Sequence, residues 1–477
     1  MHRNRTVYLI IGYLLAALAI GMWIPLLVDF AQGSENWQSF MAASGITSFV
    51  AISLILTNRG DLTPLTVRHA FLLTNGSWLA LVTFSALPLM LGENNLSFTD
   101  AFFEAMSGLT TTGSTVLSGL DNMASGTLLW RSMLNWFGGI GIIVMAISVL
   151  PMLNVGGMQL FRMESSDTSE KILPRAGEIA GSILRIYLFM TFACMVCYWI
   201  AGMSFFDAIT HAMSTIATAG FSTHDESFGF FNSTAINLVA FAFILASSLP
   251  FTSYLFITTN RLHLFWQDSQ IRMFFIIVTA AIMTMFLFVQ PDIGWSHVLL
   301  NTVSIISGTG YTSSDYSQWG SLAIALFFIL TFLGGCAGSA TCALKTFRLQ
   351  VLFLICRKYI RQIAVPHGVF SIKYNGKPLP DQVAYAVVSF TLIYFATFTI
   401  FSLALSFVGL DMLTAMSAAA TAIANVGPGL GNTVGPAGNF ASLSDTAKWI
   451  LSTAMLLGRL EFLTVLVMLS PSFWAKT

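Results

Sequence analysis

The sequence predicts an all-α integral membrane protein. Four pseudo-repeated units, each helix–pore helix–filter loop–helix, close around one pore, and two extra transmembrane helices stand ahead of them. Three observations carry this. Of the 477 residues, 56% are hydrophobic and only 9% are charged, against about 25% charged in a soluble domain. Apolar runs long enough to cross a hydrocarbon core of about 30 Å recur along the whole chain. Four short hydroxyl-and-glycine segments interrupt them at a spacing of roughly a hundred residues, which is how an internal repeat announces itself.

In chain order the spans are 7–28, 40–58, 69–92, 128–153, 180–202, 234–258, 273–290, 320–344, 383–408 and 446–470. The first follows Arg3 and Arg5, as a secretory signal would. No small-residue cleavage site with a soluble domain comes after it, so it reads as a retained span. A half-length helix and a loop fall between the third and fourth spans, and again between each later pair. The chain therefore divides into a two-helix extension (1–62) and pore repeats at 63–160, 161–262, 263–378 and 379–477. The third repeat carries an intramembrane gate loop and a cytoplasmic segment.

Lysine and arginine placement orients the chain. With the N-terminus in the cytoplasm, all the basic residues except Arg131, Lys448 and Arg459 fall on cytoplasmic segments, including Arg162, Lys171, Arg175, Arg261 and the cluster from Lys345 to Lys377. The four loops then face outward. Acids lean the same way: Asp29, Glu35, Glu93, Asp100, Glu104, Asp121, Asp207, Asp225, Glu226, Asp292, Asp315, Asp411 and Asp445 lie on outer loops or short helices. Either they concentrate cations at an outer vestibule, or they are what positive-inside selection leaves behind. A net charge of +0 gives no sign of nucleic acid as a partner. Cys194 and Cys197 read as small apolar residues in a span.

The four segments align on Gly113, Gly220, Gly310 and Gly427. They are Thr111-Thr112-Gly113, Thr218-Ala219-Gly220, Gly308-Thr309-Gly310 and Asn425-Val426-Gly427. A bare cation in hydrocarbon costs tens of kcal/mol on Born estimates, so a pore must replace its water with oxygens. Backbone carbonyls can do this if the strand turns them one way, which glycine permits. Irregular backbone at this depth is tolerated only where it lines a cavity. Each short helix points its partly negative C-terminal end at the pore. Ala-Met-Ser recurs at Ala105-Met106-Ser107, Ala212-Met213-Ser214 and Ala415-Met416-Ser417, the last lying four residues further from its glycine. That offset predicts an extra helical turn before the fourth loop. Asp100 and Asp207 suit the N-termini of the first two short helices.

These motifs, with Ser107-Gly108-Leu109-Thr110-Thr111-Thr112-Gly113, Thr215-Ile216-Ala217-Thr218-Ala219-Gly220-Phe221-Ser222 and Ala424-Asn425-Val426-Gly427-Pro428-Gly429, resemble the Trk/Ktr/HKT superfamily of potassium transporters over essentially the whole chain, most closely its bacterial TrkH-type members. The resemblance implies potassium as the transported ion, held at the backbone of the twelve loop residues, with no covalent cofactor. It implies a bacterial inner-membrane location, a homodimer, and a cytoplasmic TrkA-type ring, so that nucleotide acts only through a partner subunit. The basic loops Arg162–Arg175 and Lys345–Lys377 are candidate docking faces, or simply obey the positive-inside rule. The departures are in the first loop position, where Gly308 and Asn425 replace threonine; this predicts fewer well-formed ion sites.

Two features read as a gate. Gly334, Gly335, Gly338 and Ser339 interrupt the eighth span; relatives carry a pore-blocking loop there, and read Ser-Thr-Gly-Gly-Gly-Ile-Lys where this chain has Ser339-Ala340-Thr341-Cys342-Ala343-Leu344-Lys345. The alternative is a close helix contact. Arg459, deep in the last span, either faces the pore and repels cations or joins an interhelical ion pair. Glu461 lies nearly opposite it on a helix. Gly138-Gly139-Ile140-Gly141 reads as helix packing, and His211 and His297 as polar packing residues. No convergent acid, base or metal set suggests an enzyme. A K+/H+ or K+/Na+ symporter on the same fold is the alternative function.

Overall fold

The computed structural model describes residues 4–60, 66–148, 172–255, 262–289 and 294–474. It is helical nearly throughout. The N-terminal hairpin comprises α1 (Arg5–Gly21), α2 (Trp23–Gln32) and α3 (Trp37–Asn58). The first repeat follows as α4 (Val67–Ser85), α5 (Leu87–Leu91), α6 (Phe98–Leu109) and α7 (Ser125–Ser148). The second is α8 (Ile172–Ile200), α9 (Phe205–Ile216) and α10 (Thr234–Ser247). The third has α11 (Ser269–Phe288), α12 (Trp295–Ser307), α13 (Ser321–Thr331) and α14 (Thr346–Ala364). The fourth is α15 (Asp381–Phe407), α16 (Met412–Ala424), α17 (Asp445–Arg459) and α18 (Leu463–Leu469).

Among the described residues, six helices are long and apolar enough to cross a membrane: Arg5–Gln32, Trp37–Asn58, Arg68–Leu91, Ala180–Ile200, Ser269–Phe288 and Asp381–Phe407. Phe49, Ile276, Phe288, Leu392 and Phe407 stand exposed on them, as apolar side chains do on helix faces that meet hydrocarbon instead of water. The interior is opposite in character. α6, α9, α12 and α16 are buried along almost their whole length, inside the outer helices.

Three predicted spans are not continuous helices. The span 234–258 breaks after α10 at Ser248–Pro250, where Pro250 has no N–H for the ladder. The span 320–344 is helical only to Thr331; a loop follows, and Leu333 and Leu344 meet in an isolated parallel bridge. The span 446–470 stops at Arg459, and Glu461 and Phe462 take positive φ (61° and 43°) before α18 begins. Neither proline nor glycine sits at that break. An ion pair from Arg348 to Glu461 accompanies it. The stretch 345–382, read as a connecting loop, is α14 plus a two-residue antiparallel pair, Lys373–Tyr374 with Lys377–Pro378.

The short helices also correct the sequence. Their N-caps are Ser97, Ser204, Gly294 and Asp411, each sixteen residues ahead of its loop glycine. There is no extra turn before the fourth loop. The displaced Ala-Met-Ser is a change of residues on a helix of unchanged register, and Thr421 occupies the place of Ser107, Ser214 and Ser304. Asp100 and Asp207 are in the first turn, but the caps are the serines before them: Ser97 Oγ accepts from Asp100 N at 3.1 Å and Ser204 Oγ from Asp207 N at 3.0 Å.

Candidate functional site

Each short helix ends the same way. Thr112, Ala219, Thr309 and Val426 donate their N–H to the carbonyls of Ser107, Ser214, Ser304 and Thr421 at 2.8–3.0 Å. The residues before them, Thr111, Thr218, Gly308 and Asn425, donate to Gly108, Thr215, Ile305 and Ala422. These paired bonds form a Schellman motif, which requires a left-handed residue at the helix exit. That residue is the first loop position in all four units: φ is 52° at Thr111, 48° at Thr218, 74° at Gly308 and 52° at Asn425. What varied in the sequence as threonine, glycine and asparagine is one backbone requirement. Glycine and asparagine meet it with least strain.

The loop glycines close a ring. A Cβ on Gly113 would stand 2.6 Å from Gly220 N, and one on Gly220 would stand 2.7 Å from Thr309 O. One on Gly310 would overlap the Val426 carbonyl, and one on Gly427 would stand 2.8 Å from Thr112 O. Each glycine thus gives its side-chain space to the next loop, in the cyclic order first, second, third, fourth, first. The twelve predicted loop residues all belong to this ring, with Thr111, Thr112, Thr218, Ala219, Thr309, Asn425 and Val426 fully buried. Cross-bonds tie it: Ser114 Oγ donates to Gly427 O at 2.8 Å, and Asn425 Nδ2 to Thr112 Oγ1 at 2.9 Å.

A buried ion pair that the sequence reading overlooked braces the ring from behind. Arg131 on α7 meets Glu104 on α6 at 2.8 Å, both sealed from solvent. Arg131 also donates to Ser222 O and Thr115 Oγ1, and Glu104 accepts from Val116 N. One guanidinium therefore holds the exits of the first two loops. The available signal was two opposite charges inside neighbouring apolar segments, since such charges are rarely buried unless paired.

A cavity of about 540 Å³ opens over the ring, and Gly113, Gly220, Gly310 and Gly427 all line it. Of the predicted outer acids, Asp225 alone among the described residues lines this cavity. Most of the others are committed elsewhere. Glu104 pairs with Arg131, Asp100 with Lys448, and Asp121 and Asp207 with His224. Asp315 and Asp411 cap helices, Asp29 bonds Asn36 and Gly126 N, and Asp292 lies outside the described residues. Paired charges project little field, so of the outer acids Asp225 at the cavity, with the exposed Glu35, Glu93, Glu226 and Asp445, is what a cation-concentrating vestibule would draw on.

Around this end, burial works against a charge on His224, but the bonds and charges of Asp207 and Asp121 outweigh it and raise its pKa. His211 bonds Asp207 O and Ser222 Oγ through its two ring nitrogens, and His297 bonds Ser313 Oγ.

On the far side of the ring lies the loop between α13 and α14. Gly334 N donates to Leu344 O at 2.9 Å and Cys336 N to Ser248 O at 2.9 Å, while Phe251 N donates to Gly338 O. Ser339 Oγ bonds Cys336 O and Thr341. The loop is thus bonded to the broken end of α10 instead of packing as a helix. Arg459 is buried and has no carboxylate partner among the described residues. It donates to Ala340 O at 3.4 Å, to Cys342 Sγ, and to Gly138 O at 3.3 Å. The ion pair belongs instead to Glu461, with Arg348. Gly138 is glycine because a Cβ there would overlap Leu109 O, at the end of α6. The basic residues Arg162, Lys171 and Arg261 lie outside the described residues, and so does the side chain of Arg175.

A family model described as the cation transport protein TrkH matches residues 36–291 and 292–476. The chain is 43% identical over 477 residues to the Trk system potassium uptake protein TrkI of Halomonas elongata, covering 98% of this chain and 96% of that protein. It is 36% identical to the Trk system potassium uptake protein TrkH of Escherichia coli, covering 99% of each. The crystal structure of the potassium transporter TrkH from Vibrio parahaemolyticus superposes with a TM-score of 0.91 at 37% identity, covering 99% of this chain and 100% of that one.

Proposed function

This chain belongs to the TrkH family of cation transport proteins, and we propose from that premise that it takes up potassium through the ring of four loops. The observation that carries this reading is the cyclic closure of Gly113, Gly220, Gly310 and Gly427. A ring of backbone oxygens at the ends of four inward-directed helices can replace an ion's water shell, and the partly negative helix ends favour a cation there. The relatives named above are potassium uptake proteins. The twelve loop residues form the filter, with potassium as substrate and no resident cofactor.

The loop bearing Gly334, Gly335, Gly338 and Ser339 is the gate, with Arg459 as the cationic barrier beneath the filter. The repeats run 63–160, 161–262, 263–378 and 379–477, with the N-terminus in the cytoplasm of a bacterial inner membrane. Two copies assemble, and a TrkA-type cytoplasmic ring supplies nucleotide control, because no connection between spans is long enough to form a nucleotide-binding domain. Arg357 and Arg361, exposed on α14, are part of its docking face.

The deciding experiment is Gly113→Ser in the full chain, with K+ and Na+ uptake compared. Relaxed discrimination is expected, and unchanged discrimination overturns the filter. Flux that reverses with the K+ gradient alone is expected of a channel-like path. Reversal set by H+ or Na+ would make the protein a symporter.

A further inference from the structure

Cys342 lies in the loop between α13 and α14 and is 6% exposed. Its Sγ stands 3.6 Å from Thr111 Oγ1, in the first loop. A Cβ on Gly308, in the third loop, would stand 3.6 Å from Cys342 Cβ and 3.7 Å from its N. The first and third loops are opposite members of the ring. A residue within reach of both lies under its centre. The same sulfur accepts from Arg459, whose other bonds run to Ala340 O in the loop and Gly138 O on α7.

From this juxtaposition we propose that Cys342 closes the conduction path, its side chain bridging the Arg459 guanidinium to the Thr111 hydroxyl directly beneath the ring. The inference rests on the transport reading above and adds a residue to it. Arg459 cannot lose its proton at working pH, so where its charge sits is decided by what holds it. Sulfur is a weak acceptor, yet here it anchors that charge near the axis, and a cation leaving the ring meets repulsion in a poorly screened setting. Cys342 is therefore a positioning residue for Arg459 as well as a plug. The next residue, Ala343, sits at φ 57°, a strained conformation of the kind found in segments that switch.

The test is resting potassium flux, followed with a rubidium tracer, from liposomes holding the full chain without any partner. Cys342→Ala is expected to raise it about fivefold, the factor one net hydrogen bond is worth. Cys342→Ser keeps a group that can bond both Arg459 and Thr111, and is expected to stay near the parent. The K+/Na+ ratio should not move in either, which separates this role from general support of the ring. In an Arg459→Gln background, Cys342→Ala should add clearly less than it does in the parent. Should Cys342→Ala fold poorly, Cys342→Gly takes its place. A parent-like resting flux in a folded Ala or Gly variant overturns the proposal, as does a changed ion ratio. A parent chain that moves no potassium at all overturns the transport reading instead.

Discussion

Thr218 holds a β-branched side chain in the left-handed region, and its hydroxyl finds only the carbonyl of the residue before it. The conformation costs roughly 1–2 kcal/mol. Glycine would remove that cost, less about 0.4–1 kcal/mol for its freer unfolded chain. Thr218→Gly is therefore expected to raise the Tm by a small, measurable amount, and a fall would show the side chain is used. The opposite holds at Gly310. Alanine there would be strained at φ 81° and would overlap the Val426 carbonyl. Gly310→Ala should cost more than the roughly 1–3 kcal/mol of backbone strain alone, with uptake lost in a cell assay. The first loop position shows how residue identity misleads. Read as side chains, Thr111, Thr218, Gly308 and Asn425 look like a decaying threonine motif; read as backbone, they are four left-handed helix exits.

Among elements, the short helices and loops were legible because glycine and hydroxyl residues stand out against an apolar background. Helix length was not. The recurrence of Ala-Met-Ser suggested an extra turn, yet Ser97, Ser204, Gly294 and Asp411 keep one register; caps report a helix start better than an interior triplet does. The break at Glu461 was also hidden, because the pairing with Arg348 is made over a separation no local pattern encodes. The brace between α6 and α7 left only the signal of two opposite charges in neighbouring apolar segments, and their pairing needed coordinates. Removing one partner of a buried pair costs about 3–5 kcal/mol, since the other charge stays buried. Arg131→Met should accordingly lower stability by that amount in denaturant titration. Restoring neutrality with Glu104→Leu in the same chain should recover much of it, and failure to recover would mean that Ser222 and Thr115 matter more than the charge.

For the whole molecule, the fold class follows from composition, the apolar runs and the fourfold repeat, while the ring needed coordinates, since four loops far apart in the chain had to be shown meeting. Two bulk measurements bear on it. If potassium occupies the ring, folded protein gains about 2.7 kcal/mol at a hundred times the dissociation constant. The Tm should thus rise with K+ far more than with equal Na+, and equal responses would speak against a selective site. The second concerns pH. His224 has a raised pKa from Asp207 and Asp121, so the stability it contributes is complete below its ordinary value near 6.5 and is lost as pH climbs through the raised one. Thermal melts across neutral pH should show this loss, and His224→Gln should flatten it.

The cyclic fit of the loop glycines makes the four units non-interchangeable. Every one of the four yields its missing methyl's volume to a different neighbour: an amide at Gly220, a carbonyl at Thr309, another at Val426, a third at Thr112. Each loop is therefore the mould for the one beside it, so swapping two repeats, although their elements match, would misfit at both seams. The four parts fit in a single order.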